Sequence, residues 1–364
     1  MELFILNKEF ELIGIIETYT FLRWVRKFYK NGEFELHCKL TNKTVSLLKE
    51  DNIILKKDDN EVGFIETLKL KMLNGEETIV VKGKFTTAYL NRRINWDRLN
   101  FNGKVEDLMR KLVSDNAINP QNQDRKISNL RLGEYNQFTE DINYQNSFGN
   151  VLEELENIGT LYKIGYKIIF DFNSKEFIFN TYKGIDRTCN QNTIAPCIFS
   201  REFENILSQE LFKTNINYKN TCLIAGVGEG EQRKITSIEC GSGLNRYETY
   251  IDARDLSNKI KKNNDEIEMD IEKYKSFLIE RGKQKLSQLK KINNFSSTVN
   301  TKGNNKYKID YDLGDFVTIL DSKWNIQINT QISEIEEVYQ NGKHEINPVF
   351  GSSFPSISDF LRRF

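Results

Sequence analysis

Ile53-Ile54-Leu55, Gly63-Phe64-Ile65-Glu66, Asn74-Gly75 and Ile79-Val80-Val81 follow one another in the N-terminal part of the chain, and Gly83 closes the passage. A similar order returns near the C-terminus as Phe316-Val317-Thr318-Ile319, Ile335-Glu336-Glu337-Val338, Asn341-Gly342, Ile346 and Gly351. An Asn-Gly pair between apolar runs favours a two-residue hairpin, because both central residues of a type I′ turn need positive φ. Both passages are therefore predicted to be small antiparallel β units of one kind, and such repetition favours a pseudo-symmetric fold or an assembly.

The composition is that of an ordinary folded protein of two or three domains. Of 364 residues, 38% are hydrophobic, 29% charged and 12% aromatic, and aromatic side chains suit half-buried strands. Lys and Arg number 52 together, as do Asp and Glu, so no overall charge favours nucleic acid or an anionic membrane as the main partner. No segment has the pattern of a signal peptide or a membrane span. We expect synthesis in the bacterial cytoplasm and no membrane insertion.

The cysteines and histidines give no sign of a reactive site. The five cysteines, which form no Cys-x-x-Cys pair, are Cys38, Cys189, Cys197, Cys222 and Cys240. This odd set predicts neither a disulfide framework nor a zinc site, and we expect the thiols to be reduced and buried. The two histidines, His37 and His344, lie in strand-like segments, where we expect exposed or structural roles.

Strand and helix patterns divide the chain into four segments. Residues 1–95 are predicted to form an N-terminal β domain, 96–199 a mixed α/β domain, 200–346 a second β domain, and 347–364 a C-terminal tail. The predicted fold class is thus α+β, mainly β, with an α/β domain between two related β domains.

Helical periodicity appears at three places. Asn102 is a plausible N-cap for a helix with Val105, Leu108 and Met109 on one face, and a second helix is expected to stop at Gly159. The longest helix is predicted at about 259–292, inserted in the second β domain, with a bend or close packing contact at Gly282.

Motifs that would indicate catalysis are absent from the sequence. Gly226-Val227-Gly228-Glu229-Gly230 lacks the Lys-Ser/Thr ending of a phosphate-binding loop, so a glycine-rich β turn is expected there. Acidic pairs such as Glu153-Glu154 and Glu336-Glu337 are expected to be solvated charges, because sequence alone does not fix the separation that a glycosidase needs. We therefore predict no enzyme, no catalytic residue, no cofactor and no metal.

Several short motifs, taken in their order, resemble a known family. They are Phe10 with Gly14-Ile15-Ile16-Glu17, Arg23-Trp24, Gly32-Glu33-Phe34-Glu35-Leu36, Gly63-Phe64-Ile65-Glu66, Arg92-Arg93-Ile94, Gly184-Ile185-Asp186-Arg187-Thr188, Gly226 with Gly228-Glu229-Gly230, and Leu313-Gly314-Asp315 with Val317. Together they resemble the hub proteins at the distal end of bacteriophage tails and phage-tail-like particles, in particular a siphovirus tail-protein family.

The resemblance implies a structural role in a phage tail or a phage-tail-like bacteriocin. It implies that residues 1–95 and 200–346 form two related small β-barrel domains of the tail-tube type. In the implied homotrimer, three copies of the chain, each with two such barrels, would give a pseudo-sixfold ring that caps the tail tube. The implied partners are the tail tube protein, the tape-measure protein and other baseplate or tail-fibre proteins, with DNA passing the channel without sequence-specific binding. Under this resemblance Arg92, Arg93 and Asp315 are candidates for the subunit or tube interface.

Two other functions stay open on the sequence. A carbohydrate-binding or carbohydrate-degrading tail component would need exposed aromatic residues among Trp24, Trp96 and Trp324, for which core positions are expected instead. A bacterial β-rich scaffold unrelated to phage is the other alternative, because a fold does not determine a function.

Overall fold

The computed structural model describes residues 1–262 and 265–351 and contains two compact units. The first unit comprises 1–88, 165–213 and, among the described residues, 292–351; the second comprises 89–164 and 214–291. Each unit is therefore assembled from stretches that are distant in sequence, whereas the sequence patterns suggested contiguous domains. Local patterns do not reveal such returns of the chain, because they depend on contacts between distant residues.

Strands predominate among the described elements. In chain order these are β1 (Leu3–Leu6), β2 (Leu12–Ile16), β3 (Phe21–Lys27), β4 (Glu33–Lys39), α1 (Asn42–Leu47), β5 (Ile53–Lys56), β6 (Val62–Leu73), β7 (Glu76–Phe85), β8 (Arg98–Lys104), α2 (Val105–Val113), β9 (Leu130–Leu132), β10 (Asp141–Ser147), α3 (Val151–Tyr162), β11 (Gly165–Asp171), β12 (Glu176–Tyr182), β13 (Ile198–Ser200), β14 (Ile206–Thr214), β15 (Thr221–Ala225), β16 (Ile235–Ile238), β17 (Glu248–Asp252), β18 (Lys259–Lys262), β19 (Asp265–Glu268), α4 (Ile271–Gln288), β20 (Ile292–Val299), β21 (Phe316–Asp321), β22 (Ile326–Gln340) and β23 (Lys343–Gly351). The predicted α+β, mainly β, class is confirmed.

One large sheet runs through the first unit. Eight strands follow one another in the order β14-β20-β23-β22-β3-β4-β7-β6, and β5, β1 and β2 continue from β6. Strand β21 pairs with β22 and, in parallel, with β13. The described pairings form an open path rather than two closed rings.

Both Asn-Gly hairpins are present as predicted. Leu73 pairs with Glu76 across Asn74-Gly75, whose φ angles are 51° and 82°. In the second hairpin Gln340 pairs with Lys343, and Asn341 and Gly342 have φ angles of 52° and 74°. Positive φ at both central residues is the signature of a type I′ turn, which matches the twist of the flanking strands.

The two hairpins share their register, including a bulge. In β6–β7 the register shifts between Ile65 and Thr67, and in β22–β23 between Ile332 and Glu334. Adding 267 to a residue number carries 65, 67 and 74 onto 332, 334 and 341, so turn and bulge coincide. Because a bulge sets the bend and twist of a strand, the second hairpin is a structural copy of the first.

The strands before each hairpin repeat as well. Ile53 of β5 pairs with Phe64, and Phe316 of β21 pairs with Gln331, which is the equivalent position. The turn before each of these strands has a residue with positive φ, which is Asp51 before β5 and Gly314 before β21. The Asp51 amide donates to the Ile65 carbonyl at 2.8 Å, and the Gly314 amide donates to the equivalent Ile332 carbonyl at 2.9 Å. The predicted repeat is confirmed, with one correction to its alignment.

That correction concerns the first hairpin strand. The sequence pattern matched 335–338 to 63–66, whereas the shared bulge matches 330–333 to 63–66. The apolar pattern misses this five-residue shift because Ile332 is the one apolar residue in 330–333, whereas 335–338 begins and ends with an apolar residue, so residue type does not locate the bulge.

The third repeated strand lies beside each hairpin. Phe34 of β4 pairs with Gly83, and Phe295 of β20 pairs with Phe350, again at equivalent positions. A Cβ atom at Gly83 would lie 1.9 Å from the carbonyl oxygen of Phe64 and 2.6 Å from the Phe34 ring. Gly83 is therefore required by close approach of its neighbours.

The second unit packs helices on short strands. Strand β15 pairs antiparallel with β16 and parallel with β17, and the Gly226–Gly230 stretch forms the turn to β16, as predicted. Helix α4 packs on β15 and β16. A Cβ atom at Gly282 would lie 2.6 Å from Ile224 Cδ1, which confirms the predicted close packing contact.

Three helix boundaries differ from the prediction. Helix α4 begins only at Ile271, because β18 and β19 occupy most of the preceding stretch. Helix α2 has Lys104 rather than Asn102 as its N-cap, since Asn102 lies in β8. Helix α3 continues past Gly159 and ends where Lys163 takes a left-handed conformation. Tertiary pairing thus overrides local capping preferences at these ends.

The expected burial of the thiols is partly wrong. All five cysteines are free; Cys38, Cys197 and Cys222 are buried, whereas Cys189 and Cys240 are exposed in loop segments. Among the described helices, none is long and apolar enough to cross a membrane.

Candidate functional site

The eight-stranded part of the large sheet has two open ends. At one end β5 pairs with β6 only at Val62–Phe64, so that Thr67–Leu73 pairs with β7 alone among the described strands. At the other end β14 pairs with β20 and with no further described strand. Unpaired strand edges expose backbone donors and acceptors and favour pairing with another strand.

An internal junction of the same sheet joins the two repeats. Strand β22, the copy of β6, pairs antiparallel with β3 from Glu334–Lys27 to Gln340–Phe21. Since β4 and β20 are equivalent, their outer neighbours β3 and β14 are equivalent too. The junction thus pairs β22, the outer hairpin strand of the second repeat, with β3, the first strand of the first repeat. The strands at the two open ends, β6 and β14, are the equivalents of β22 and β3, but their outer edges have no such partner among the described strands.

The register at the β14 end follows from one side-chain contact. Ser208 Oγ and Thr298 Oγ1 lie 2.9 Å apart, across β14 and β20. Thr298 corresponds to His37 of β4, whose ring is 4.9 Å from that of its paired residue Phe21. Ser208 therefore occupies the position that Phe21 has in β3.

Charged groups hold the outer face of the internal junction. The Arg23 guanidinium donates to Glu336 on the neighbouring strand and to Glu33 at 2.9 Å. All three side chains are partly exposed, so we expect a modest contribution to stability and a larger one to register.

The core face of the junction contains a buried ionic cluster. Lys56 Nζ is 2.8 Å from Glu337 Oε1, and the two side chains are 2% and 4% exposed. Nearby, the buried Arg26 is 2.6 Å from Glu61 Oε2 and 2.8 Å from Asp312 Oδ1. These contacts connect β3 and β22 to the β5–β6 connection and to the loop before β21, so both repeats contribute to one network.

Glu337 is strongly held in its charged form. Burial raises the pKa of Glu337, but hydrogen bonds from His344, Lys56 and Tyr339 outweigh this effect and lower it to about 2. The expectation that Glu336-Glu337 is a pair of solvated charges is therefore wrong for Glu337. The available sequence signal was Lys56, a charge at the end of an apolar strand, but its partner is distant in the chain.

The open edge of β6 carries uncovered apolar residues on the core face. Leu70 pairs with the fully buried Ile79, yet Leu70 is 54% exposed and Met72 75% exposed. Leu70 corresponds to Glu337, which is buried at the internal junction. Leu70 and Met72 thus lie on the core face of the sheet, but they stay largely exposed within this chain.

Asp315, one of the predicted interface residues, is used inside its own chain. Its carboxylate accepts from the Ile185 amide at 2.8 Å, from Arg187 Nε at 2.8 Å and from the Asp312 amide at 3.0 Å. Two motifs of the resemblance, around Arg187 and around Asp315, therefore contact each other. Asp315 is 4% exposed, so a role in a subunit interface stays a prediction for which its position offers no support.

Arg92 and Arg93 lie in the second unit. The Arg92 guanidinium lies 4.9 Å from the Tyr89 ring centroid, and the side chain is exposed. Arg93 donates through Nε to the Arg125 carbonyl at 2.6 Å. Their interface role also stays a prediction.

Two of the three tryptophans differ from the expectation of core positions. Trp24 is fully buried, whereas Trp96 and Trp324 are 50% and 41% exposed. Trp24 lies in β3 and faces the core, while the other two lie outside the strands.

Comparison with solved structures places the fold among phage tail proteins. A tail protein from Neisseria meningitidis MC58 matches with a TM-score of 0.59 and 12% identity, covering 96% of both chains. The 43 kDa tail protein of prophage MuSo2 from Shewanella oneidensis matches at 0.57 and 11%, covering 96% of this chain and 98% of that one. Prophage tail protein gp18 from Listeria monocytogenes matches at 0.53 and 12%, covering 100% and 98%. At such identities the likeness concerns the fold.

The family is given by the sequence. Residues 2–352 match the model of the Siphovirus ReqiPepy6 Gp37-like protein family, and the chain belongs to this family. The resemblance to siphovirus tail proteins is thereby confirmed. No curated protein gives a significant match.

Proposed function

We propose that this protein is a tail hub, a structural component that forms a trimeric ring, caps the tail tube and joins it to the baseplate or tail tip. Membership of a siphovirus tail-protein family supports a structural role in the tail. The observation that carries the ring is the internal junction between β22 and β3, because the two open ends of the sheet are equivalent to its two sides.

The ring closes by repeating that junction between copies. Within one chain, β3 pairs with the outer edge of β22. In the ring, β14 pairs in the same way with the outer edge of β6 from the next copy. Each chain then contributes one internal junction and one intermolecular junction, so three copies give six similar junctions. Such a head-to-tail contact closes when the rotation is a whole fraction of a turn, and a ring of six similar parts matches a sixfold tube.

The register of the intermolecular junction follows from the equivalences. In the internal junction the outermost pairs are Glu334–Lys27 and Gln340–Phe21. The corresponding pairs between two copies are Thr67–Thr214 and Leu73–Ser208. Leu70 then lies opposite Leu211, which already packs partly buried against the C-terminal core. The exposed apolar face of β6 is thereby covered, and hydrophobic burial drives the association.

The charges at this junction are complementary. Under the same equivalence the Arg23–Glu336 pair is replaced by Glu210 and Lys69, with the two signs exchanged between the strands. Opposite charges on neighbouring strands favour one register and disfavour others. Among the described residues, no ion pair within the chain involves either Lys69 or Glu210.

The remaining partners belong to the tail. The proposed hub contacts the tail tube protein, the tape-measure protein and baseplate or tail-fibre proteins, and DNA leaves through the channel without sequence-specific contacts. Arg92, whose side chain is exposed, is retained as a proposed interface residue. The role is mechanical and requires no catalytic residue or cofactor.

The test is the mass and shape of the purified protein. Light scattering should give three times the 42.7 kDa chain mass, and negative-stain images should show a ring with six similar lobes. A protein that stays monomeric at all concentrations, and also when mixed with its tail tube protein, would contradict the proposal.

A further inference from the structure

The second unit contains a polar cavity that the ring does not use. Its volume is about 250 Å³, and its lining includes Asn95, Trp96, Arg98, Asn116, Gln121 and Arg125. Half of the Trp96 surface is exposed. Most ligand pockets are lined mainly by apolar side chains, whereas this one combines the indole of Trp96 with several polar side chains and therefore suits a small polar ligand.

Two guanidinium groups, one in this cavity and one beside it, form no ion pair in the described part of the chain. The Arg125 guanidinium lies 4.2 Å from the Trp96 ring centroid and donates to the Ile94 carbonyl and to Asn116 Oδ1. Arg93 donates to the carbonyls of Arg125 and Arg92. In the described part of the chain neither Arg93 nor Arg125 forms an ion pair with a carboxylate. The local field is therefore positive.

The pKa directions agree with that geometry. Burial lowers the pKa of Arg93, and the neighbouring charges of Arg125 and Arg92 lower it further. Burial also lowers the pKa of Arg125, although Asp97 opposes this effect. A bound anion would relieve the repulsion between these guanidinium groups.

The backbone that lines the cavity is unusual. Ser114–Ile118 forms one turn of π-helix after α2, and this turn supplies Asn116. Asn116 is 3% exposed; its amide nitrogen donates to the Leu112 carbonyl at 3.0 Å, and its oxygen accepts from Arg125. Single π turns occur frequently at functional sites, because they reposition a side chain at a cost in helix stability.

Arg98 is the cation that is best placed for a ligand. Its Nη1 donates to Ser257 Oγ at 3.1 Å, and the side chain is exposed at the cavity. By contrast, Lys111 and Asp115, which also line the cavity, form an ion pair at 2.6 Å. Arg98 and Arg125 therefore provide positive charge opposed in the lining by Asp97 alone.

We propose that this cavity binds an acidic saccharide unit, that is, one sugar residue carrying a carboxylate or phosphate group. The C–H face of the sugar packs on Trp96, the amides of Asn95 and Gln121 hydrogen-bond its hydroxyl groups, and Arg98 binds the anionic group. Guanidinium groups recognise carboxylate and phosphate through paired charge-assisted hydrogen bonds. The proposal does not depend on the ring.

The test is a titration of the full-length protein with four probes: glucuronate, glucose 6-phosphate, glucose and inorganic phosphate. Trp96 fluorescence should respond to the two acidic sugars, with saturation-transfer NMR on the sugar protons as an independent readout. Glucose and phosphate should each bind at least about tenfold more weakly, because each lacks one of the two recognised parts.

Matched variants locate the site. Trp96→Phe should abolish the fluorescence response, whereas Trp324→Phe, which changes a similarly exposed indole in the first unit, should leave it intact. Arg98→Gln should weaken binding about tenfold or more, and Arg254→Gln, at an exposed arginine of the second unit, should not change it. Thermal melting checks that each variant is folded.

Three results among variants and probes, and a fourth given by the absence of binding, would overturn the proposal. The first three are equal affinity for glucose and glucuronate, equal affinity for phosphate and glucose 6-phosphate, and binding that Arg98→Gln leaves unchanged in the NMR readout. Absence of binding at tens of millimolar probe would do so as well. Trp96→Phe should still form the trimer, so failure here is distinguishable from failure of the ring.

Discussion

Arg187 Nε lies 2.8 Å from Asp315 Oδ2, and this ion pair connects two sequence motifs that are 128 residues apart. The backbone around it is equally close, since a Cβ atom at Gly184 would lie 1.7 Å from the Gly314 carbonyl oxygen. The Phe316 amide donates to the Ile185 carbonyl at 2.9 Å, and the Arg187 amide donates to the Phe316 carbonyl at 2.8 Å. The ion pair and these hydrogen bonds hold residues 184–187 against the start of β21.

Asp315→Asn should destabilise the fold through loss of this anchor. The substitution removes the negative charge that accepts hydrogen bonds from Arg187 and two backbone amides. Removing one partner of a buried ion pair costs about 3 kcal/mol of stability. Urea unfolding measures the change. Asp141→Asn, at a 74% exposed aspartate paired with Lys104, should change the free energy of unfolding by less than about 0.5 kcal/mol. Similar small losses in both variants would contradict the anchoring role.

Glu337→Gln should reduce the loss of stability in acid. The pKa of Glu337 is lowered from 4.5 to about 2 in the folded protein, so its charged form stabilises the fold above pH 4.5. This contribution, about 3 kcal/mol at full strength, disappears as the pH falls from about 4.5 toward 2.

Unfolding free energies measured between pH 6 and 2.5 check this prediction. The wild-type curve should fall more steeply than that of Glu337→Gln below pH 4.5. Glu345→Gln, at an exposed position on the partner strand β23, is the matched control and should follow the wild-type slope. Parallel curves for wild type and Glu337→Gln would rule out this linkage.

Gly83→Ala should be far more harmful than Gly342→Ala. The new methyl group at 83 would lie 1.9 Å from a backbone carbonyl, so β6 and β7 would have to separate. At 342 no atom lies within 4 Å, and only the positive φ of 74° penalises alanine, by about 1–2 kcal/mol. Soluble yield and urea unfolding distinguish the two. Equal losses would mean that β4, β6 and β7 tolerate a rearrangement.

Charge reversal should break and restore the proposed intermolecular junction. Lys69→Glu places a negative charge opposite Glu210 of the next copy, so the single variant should shift the trimer toward monomer. The double variant with Glu210→Lys should recover it, because it restores the pair with exchanged signs. Sedimentation at several protein concentrations provides the measurement.

A surface lysine outside the sheet supplies the control. Lys43→Glu, at an exposed position of α1, should leave the association constant unchanged. If the single variant at 69 associates like wild type, or the double variant gives no recovery, the proposed register is incorrect.

The chain's local patterns determined the repeated hairpins. Asn74-Gly75 and Asn341-Gly342 specify their turns through the backbone conformations that Asn and Gly tolerate, and flanking alternation specifies the strands. Motif order also identified the family. These features depend on neighbouring residues, so sequence carries them directly.

Only the tertiary structure decided the rest. It placed the shared bulge, joined β22 to β3, buried Lys56 against Glu337 and brought Trp96 beside Arg125. Lys56 and Glu337 are 281 residues apart, and no local pattern distinguishes a buried charge pair from two solvated charges. Strand pairing and desolvation depend on which distant residues meet, and that choice is made by the packing of the whole chain.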